Sequence, residues 1–252
     1  MTTTTRLYLL LLAMSLGWLA CDKAGDIQQS AATTQGKGGS TARFAIAGQY
    51  LYTVDTKKLT TYQLSNPANP VITNVQDVGF EIETIFPFGD KLFIGSTSVV
   101  HIFSLANPAQ PAKLSEAISP TVLRRCDPVV AKDTVAFATL RSNAECGGVQ
   151  SILAVYDIKN ILKPQQRVAV PLQAPFGLGY ADTVLYVCDA GGLQLFNIKN
   201  AYNPRLLTSL SETHGRFLDV VPYGQLLFCW TTRGAIVYDI SNPAVPRQLS
   251  VI

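Results

Sequence analysis

The segment Thr61-Tyr62-Gln63-Leu64-Ser65-Asn66-Pro67-Ala68-Asn69-Pro70 returns along the chain in four further copies. The clearest copies are residues 102–111 and 237–246, and two eroded copies between them keep only part of the phrase. The aromatic residues at the matched position are 41, 53, 40 and 42 residues apart: Tyr62, Phe103, Tyr156, Phe196 and Tyr238. A period near 40 residues indicates one supersecondary unit that is stacked on copies of itself.

Each unit has the composition of four short β-strands. Runs of β-branched and aromatic residues alternate with breaks that carry Gly, Pro, Asn or Asp, as strands and tight turns require. Proline cannot donate a hydrogen bond to a sheet, so the two prolines of the repeated phrase mark strand ends. The asparagine side chain closes the turn by accepting a backbone hydrogen bond. No 3.6-residue apolar period persists for ten residues after the N-terminal segment, which argues against helices.

Four antiparallel strands repeated about every 40–45 residues are typical of propeller blades. We therefore predict an all-β fold, a β-propeller of five four-stranded blades. The first unit contains its own innermost strand and the last ends on its own outermost strand, so no strand is exchanged across the chain ends. Ring closure would then depend on side-chain packing between the first and last units. A closed five-bladed ring is the preferred arrangement, and an open arc that pairs with another copy is the alternative.

Two segments carry a family resemblance, namely Leu195-Phe196-Asn197-Ile198 and residues 235–243. They resemble the bacterial LVIVD repeat, and the resemblance extends over residues 43–252. It implies a β-propeller-like fold and a secreted or surface-exposed protein. It implies no reaction and brings no catalytic residues.

The N-terminal residues have the features of an export signal. Arg6 precedes an apolar run over residues 7–20, which is too short to span the ~30 Å of a bilayer core as a stable helix. The tripeptide Leu19-Ala20-Cys21 is similar to a lipobox. We predict a lipoprotein signal peptide over residues 1–20 and lipidation of Cys21, with an ordinary secretory signal as the alternative.

The remaining chain divides into two parts. Residues 21–41 are polar and carry one aliphatic side chain larger than alanine, so they are predicted to form a flexible tether. Residues 42–252 are predicted to form the five-repeat propeller. This organisation predicts a protein of the bacterial cell envelope, held by its lipid anchor to a membrane. The outer membrane is the preferred location, with the propeller facing the periplasm or the cell surface.

The charge pattern excludes one class of partner. The formal net charge is +3, only 15% of the residues are charged, and no run of Lys or Arg exceeds two. Nucleic acid is therefore not an indicated partner. The oligomeric state is left open.

Four cysteines remain besides Cys21. Cys126 and Cys146 are expected on the same propeller face, and a disulfide between them would stabilise the fold by about 3 kcal/mol through loop closure. Free thiols and a metal site are the alternatives, but no CxxC motif or histidine cluster supports a metal, so no metal or cofactor is predicted. Cys188 and Cys229 are expected to be buried thiols on opposite strand faces.

The innermost strands of all units should begin on one face, around the mouth of the central channel. Because function in repeat folds tends to lie on loops held by a rigid scaffold, we predict a binding face there. The alternative is a set of solvated loop charges without a special role. The predicted face comprises Glu81, Glu83, Arg124, Arg125, Asp127, Phe176, His214 and Arg216.

The sequence favours a non-enzymatic interaction module that binds a protein or glycan. His101 lies inside a strand, where a lone histidine is more often structural than catalytic, and no phosphate-binding loop is present. No catalytic residue is therefore assigned. The alternative is a small-molecule hydrolase or lyase that uses the channel mouth, for which the pair Glu81 and Glu83 would supply carboxylates.

Overall fold

The computed structural model describes residues 38–97, 99–120, 128–142, 150–211 and 213–252. These residues contain twenty β-strands in five four-stranded antiparallel sheets, which are arranged in a ring as a five-bladed β-propeller. The predicted fold class is thus confirmed. Within the described ranges, no helix has the length and apolar character to cross a membrane. The predicted signal peptide, Cys21 and most of the tether lie outside the described residues.

The first two blades occupy the N-terminal part of the ring. Blade 1 comprises β1 (Phe44–Ala47), β2 (Tyr50–Val54), β3 (Lys58–Gln63) and β4 (Val71–Asp77). Blade 2 comprises β5 (Ile82–Phe88), β6 (Lys91–Ser96), β7 (Val99–Ser104) and β8 (Ala112–Ile118).

The other three blades follow in chain order. Blade 3 comprises β9 (Val129–Lys132), β10 (Val135–Leu140), β11 (Ser151–Asp157) and β12 (Gln165–Leu172). Blade 4 comprises β13 (Leu178–Ala181), β14 (Val184–Asp189), β15 (Gly192–Asn197) and β16 (Arg205–Leu210). Blade 5 comprises β17 (Phe217–Tyr223), β18 (Leu226–Thr231), β19 (Gly234–Asp239) and β20 (Arg247–Val251).

Every blade is a meander of four consecutive strands, so each is built from one continuous segment of chain. The first strand of each blade lies innermost and the fourth outermost. The Asn-Pro turn joins the third strand to the fourth, and Asn66 Oδ1 and Asn242 Oδ1 each accept a hydrogen bond from the backbone N–H two residues later, at 3.1 and 3.2 Å. In all five blades a β-bulge occurs next to the repeated aromatic residue. The repeated phrase therefore specifies the same bulge and turn in every blade.

The core lies between the blades. Four clusters of buried apolar side chains fill the interfaces between neighbouring blades, namely 1 and 2, 2 and 3, 3 and 4, and 4 and 5. At two of these interfaces a tyrosine donates a hydrogen bond to the next blade: Tyr52 Oη to Pro108 O at 2.9 Å, and Tyr186 Oη to Pro243 O at 2.8 Å. Each bond joins the second strand of one blade to the Asn-Pro turn of the next.

A different contact joins blade 5 to the segment that precedes blade 1. Ser40 Oγ donates to Asp219 Oδ1 at 3.0 Å, and the backbone N–H and Oγ1 of Thr41 donate to Asp219 Oδ2 at 3.1 and 2.6 Å. Ser40 Oγ also accepts a hydrogen bond from the backbone N–H of Leu178 at 2.7 Å. Burial raises the pKa of the Asp219 carboxyl. At its inner rim the ring is thus closed by hydrogen bonds, whereas the sequence suggested side-chain packing between the first and last units.

The tyrosine at the first interface provides a test of the interblade bonds. The substitution Tyr52→Phe removes the hydroxyl that donates to Pro108 O and keeps the ring, so we expect the free energy of unfolding to fall by about 1 kcal/mol. Tyr62→Phe, at a half-buried tyrosine of the neighbouring strand, should change it by less than about 0.5 kcal/mol. Denaturant titration measures both, and equal losses would contradict the assignment.

Candidate functional site

Phe176 lies at the end of the channel where the innermost strands begin, and two arginines approach its ring. The guanidinium carbon of Arg141 is 4.2 Å from the ring centroid and that of Arg216 is 4.5 Å away. Arg43 and Glu83 lie close enough to interact electrostatically with each other, and Glu83 does so with Arg141 as well. We call these five residues the channel mouth. They come from blades 1, 2 and 3 and from the segments that lead into blades 4 and 5.

The backbone of Phe176 is held by its neighbours in the ring. Its N–H donates to Cys188 O at 2.8 Å, and its carbonyl accepts a hydrogen bond from Thr139 Oγ1 at 2.5 Å. The next residue, Gly177, donates its N–H to Leu218 O at 2.9 Å. Blades 3, 4 and 5 therefore all contact this segment, which gives the aromatic ring a fixed position.

A buried carboxylate orders the loop just before Phe176. Asp189 is fully buried and accepts hydrogen bonds from the backbone N–H groups of Gln173 and Ala174, at 3.1 and 2.7 Å. Gln194 Nε2 donates to the same carboxylate at 2.8 Å. Asp189 is therefore a positioning residue for the channel mouth.

Glu83 is the carboxylate of the channel mouth. It lies in a β-bulge of β5 between Ile82 and Thr84, and it is half-buried. Burial raises the pKa of Glu83, while Arg141 and Arg43 oppose that shift. Among the residues that the structure describes, no carboxylate lies within ion-pair distance of Arg43 or Arg216. The channel mouth thus presents arginine side chains with one partly desolvated carboxylate.

The structure brings part of the predicted binding face together. Three of its residues, Glu83, Phe176 and Arg216, belong to the channel mouth, and their role in binding stays a prediction. His214 is half-buried close by, and its carbonyl accepts a hydrogen bond from Thr231 Oγ1 at 2.9 Å. The predicted residues Arg124, Arg125 and Asp127, and the predicted disulfide partners Cys126 and Cys146, lie outside the described residues.

Glu81 is part of a second, open pocket on blade 2. It accepts a hydrogen bond from Thr97 Oγ1, and the pocket is also lined by His101 and Glu116. His101 Nδ1 lies 3.2 Å from Glu116 Oε1 on the adjacent strand, and burial lowers the pKa of His101. This cross-strand pairing agrees with the structural interpretation of His101. Within the described part of the chain, no group of three or more His, Cys, Asp or Glu residues could hold a metal ion.

Three polar residues were not identified from the sequence: Arg141, Asp189 and Asp219. Asp219 offered a signal, because it is a charged residue inside the apolar run of β17. Arg141 and Asp189 each end an apolar strand, where polar residues are common, so nothing distinguished them from ordinary strand ends. Cys188 and Cys229 are both buried and belong to the apolar cluster between blades 4 and 5.

We predict that Asp189→Asn loosens the loop that carries Phe176. An amide nitrogen in place of one carboxylate oxygen would face N–H donors, so the free energy of unfolding should fall by about 2 kcal/mol. Asp182→Asn is the matched control, since Asp182 is exposed and asparagine tolerates its positive φ of 50°. Equal stability of the two variants in denaturant titrations would refute the role of Asp189.

Comparison with known proteins agrees with this architecture. The family model of the LVIVD repeat matches residues 38–77, which contain all of blade 1. No curated protein sequence matches the chain. Among solved structures, the chain is similar to a protein from Lactobacillus plantarum, with a TM-score of 0.66 and 13% identity over 80% of this chain and 67% of that one.

Two further structures share the fold. The periplasmic gluconolactonase PpgL of Pseudomonas aeruginosa has a TM-score of 0.62 and 13% identity, over 81% of this chain and 67% of its own. The computationally designed protein Ika8 has a TM-score of 0.59 and 10% identity over 82% of this chain, which spans only 59% of the designed one. Identities this low show the fold alone. The chain is a five-bladed β-propeller, and its first blade matches the LVIVD repeat.

Proposed function

We propose that this protein is a lipid-anchored, exported propeller of the bacterial cell envelope, and that it binds a protein or glycan partner at its channel mouth without catalysing a reaction. The observation that carries the proposal is the arrangement of Arg141 and Arg216 around the fixed ring of Phe176. Arginine and aromatic side chains dominate the energetics of protein interfaces. Their convergence on a rigid scaffold favours a recognition surface.

The charges of the channel mouth favour an acidic partner. Three arginines converge with one half-buried glutamate, and the pKa of that glutamate is raised by burial. An incoming carboxylate would reduce the repulsion between neighbouring guanidinium groups and could form bidentate hydrogen bonds with one of them. Acidic side chains of a protein and uronic acids of a glycan both offer this group. The proposed ligand is therefore a carboxylate-bearing protein or glycan surface.

A second candidate function is supported by Glu83. A carboxyl group with a raised pKa at a channel mouth is suited to general acid–base catalysis. The fold is shared with a gluconolactonase, so a hydrolase that acts on a small lactone or ester is the alternative. Turnover of such substrates by the purified protein would support this alternative over the binding function.

The binding proposal is tested with the immobilised protein and detergent extracts of bacterial envelopes. We expect the double substitution Phe176→Ala and Arg216→Ala to reduce capture of the partner by about tenfold or more, because both groups are removed from the centre of the contact. Arg205→Ala is the control, since Arg205 is an exposed arginine at the start of β16. Capture that is unchanged by the double substitution would refute the proposed site.

The anchor is tested separately. If Cys21 carries the lipid, Cys21→Ser should prevent incorporation of labelled palmitate and should prevent acyl-dependent retention of the protein in detergent-soluble membrane fractions. Cys229→Ser is the control, because Cys229 is buried in the propeller core and is not a candidate for acylation. Undiminished labelling of the Cys21→Ser variant would contradict the lipoprotein assignment.

A further inference from the structure

One aromatic position is repeated in all five blades but is exposed in only one of them. It is the third residue of the second strand, and its side chain points toward the next blade in the ring. In blades 1 to 4 this residue is at most 1% exposed, whereas Phe228 of blade 5 is 39% exposed. The four buried counterparts are Tyr52, Phe93, Phe137 and Tyr186. No blade therefore covers the corresponding face of blade 5.

The same face of blade 5 exposes a second large side chain. Trp230 lies two residues after Phe228 on β18 and is 60% exposed. The residues between and before them, Leu227 and Cys229, point to the opposite face and are fully buried against blade 4. The forward face of blade 5, defined by Phe228 and Trp230, is thus an uncovered copy of the face that each preceding blade buries.

On blade 1, the opposite face is less buried than in the other blades. The tyrosine or phenylalanine before the Asn-Pro turn is at most 5% exposed in blades 2 to 5, but Tyr62 of blade 1 is only half-buried. Its cross-strand partner Leu51 is also half-buried, whereas the equivalent Leu92 of blade 2 is fully buried. We call Leu51 and Tyr62 the back face of blade 1. It is an incompletely covered copy of the face that receives a preceding blade.

These two faces border the same gap in the ring. The inner rim of the gap is occupied by residues 38–41, which bind Asp219, but this segment leaves Phe228 and Trp230 exposed. None of the side chains that define the two faces is charged. Solvent-facing sheet surfaces normally carry polar side chains, and exposed aromatic patches of this kind mark interaction sites.

We propose that the forward face of blade 5 docks onto the back face of blade 1 of a second copy of this chain. Inside each chain, a forward face already packs against a back face four times, with apolar clusters at all four interfaces. A second copy offers the same back face, so its shape and polarity match the exposed aromatic residues. The contact is heterologous, because two different surfaces meet, and it is independent of the ligand at the channel mouth.

Cross-linking of full-length copies tests the proposal directly. Two copies with different C-terminal tags are co-expressed, one carrying Trp230→Cys and the other Leu51→Cys, and are treated with a short bismaleimide. We expect a covalent product that contains both tags. A pair carrying Leu206→Cys and Leu51→Cys is the control, because Leu206 is 55% exposed on the outermost strand of blade 4 and should not cross-link.

A single chain that carries both Trp230→Cys and Leu51→Cys separates the remaining outcomes. A cross-link within that chain, without products that contain two chains, would show that blade 5 packs on blade 1 of its own ring and would overturn the proposal. Absence of any cross-link with Trp230→Cys would overturn it as well, since the face would then be covered by something other than this chain.

Co-precipitation of tagged copies without introduced cysteines is the second measurement. Trp230→Glu on both copies places a charge in the apolar contact. It should reduce the amount of the second tagged copy that is recovered with the first by about tenfold or more. Leu206→Glu should leave recovery unchanged, and matching circular dichroism spectra would show that both variants fold. Equal recovery with Trp230→Glu and Leu206→Glu would contradict the proposed contact.

Discussion

The fold depends on the packing of one blade face onto the next. A four-stranded sheet of this length cannot bury its apolar side chains alone, so its stability comes from neighbours that cover it on both sides. Full burial of an aromatic side chain contributes about 1.5–3 kcal/mol, and each of blades 1 to 4 supplies one to the next blade. The roughly 40-residue period of the sequence is the consequence of this requirement, because every blade must present the same two faces.

The channel mouth follows from the same geometry. Phe176 is placed by a hydrogen bond that it accepts from Thr139 and one that it donates to Cys188, which belong to different blades. The arginines beside it come from the end of β10 and from the segment that leads into β17. The ring therefore gathers side chains that are far apart in the chain. Since hydrogen bonds to the strands of neighbouring blades hold the segment that carries Phe176, the surface is preorganised for recognition.

Much of the fold could be predicted from local patterns. The Asn-Pro turn, the strand before it and the aromatic residue near the end of that strand are local features, and all recur where the sequence placed them. The convergence of Glu83, Phe176 and Arg216 could also be predicted, because all innermost strands begin on one side of a propeller. The separation of Glu81 could not, since its left-handed backbone, with φ of 55°, directs it toward Thr97. Arg124, Arg125 and the predicted disulfide remain predictions.

Asp219 and Asp189 show most clearly what local patterns miss. Asp219 accepts hydrogen bonds from Ser40 and Thr41, almost 180 positions away. Its partners are therefore apparent only once the segment before blade 1 lies against blade 5. Asp189 orders a loop whose importance depends on the arginines that other blades bring to Phe176.

The sequence by itself determined the five units, their four strands and the Asn-Pro turn of each blade, because these depend on turn chemistry and on the alternation of side chains along a strand. Only the tertiary structure decided which faces remain uncovered and which polar groups meet. Those properties depend on the angle between blades and on contacts across the ring, which no single repeat encodes.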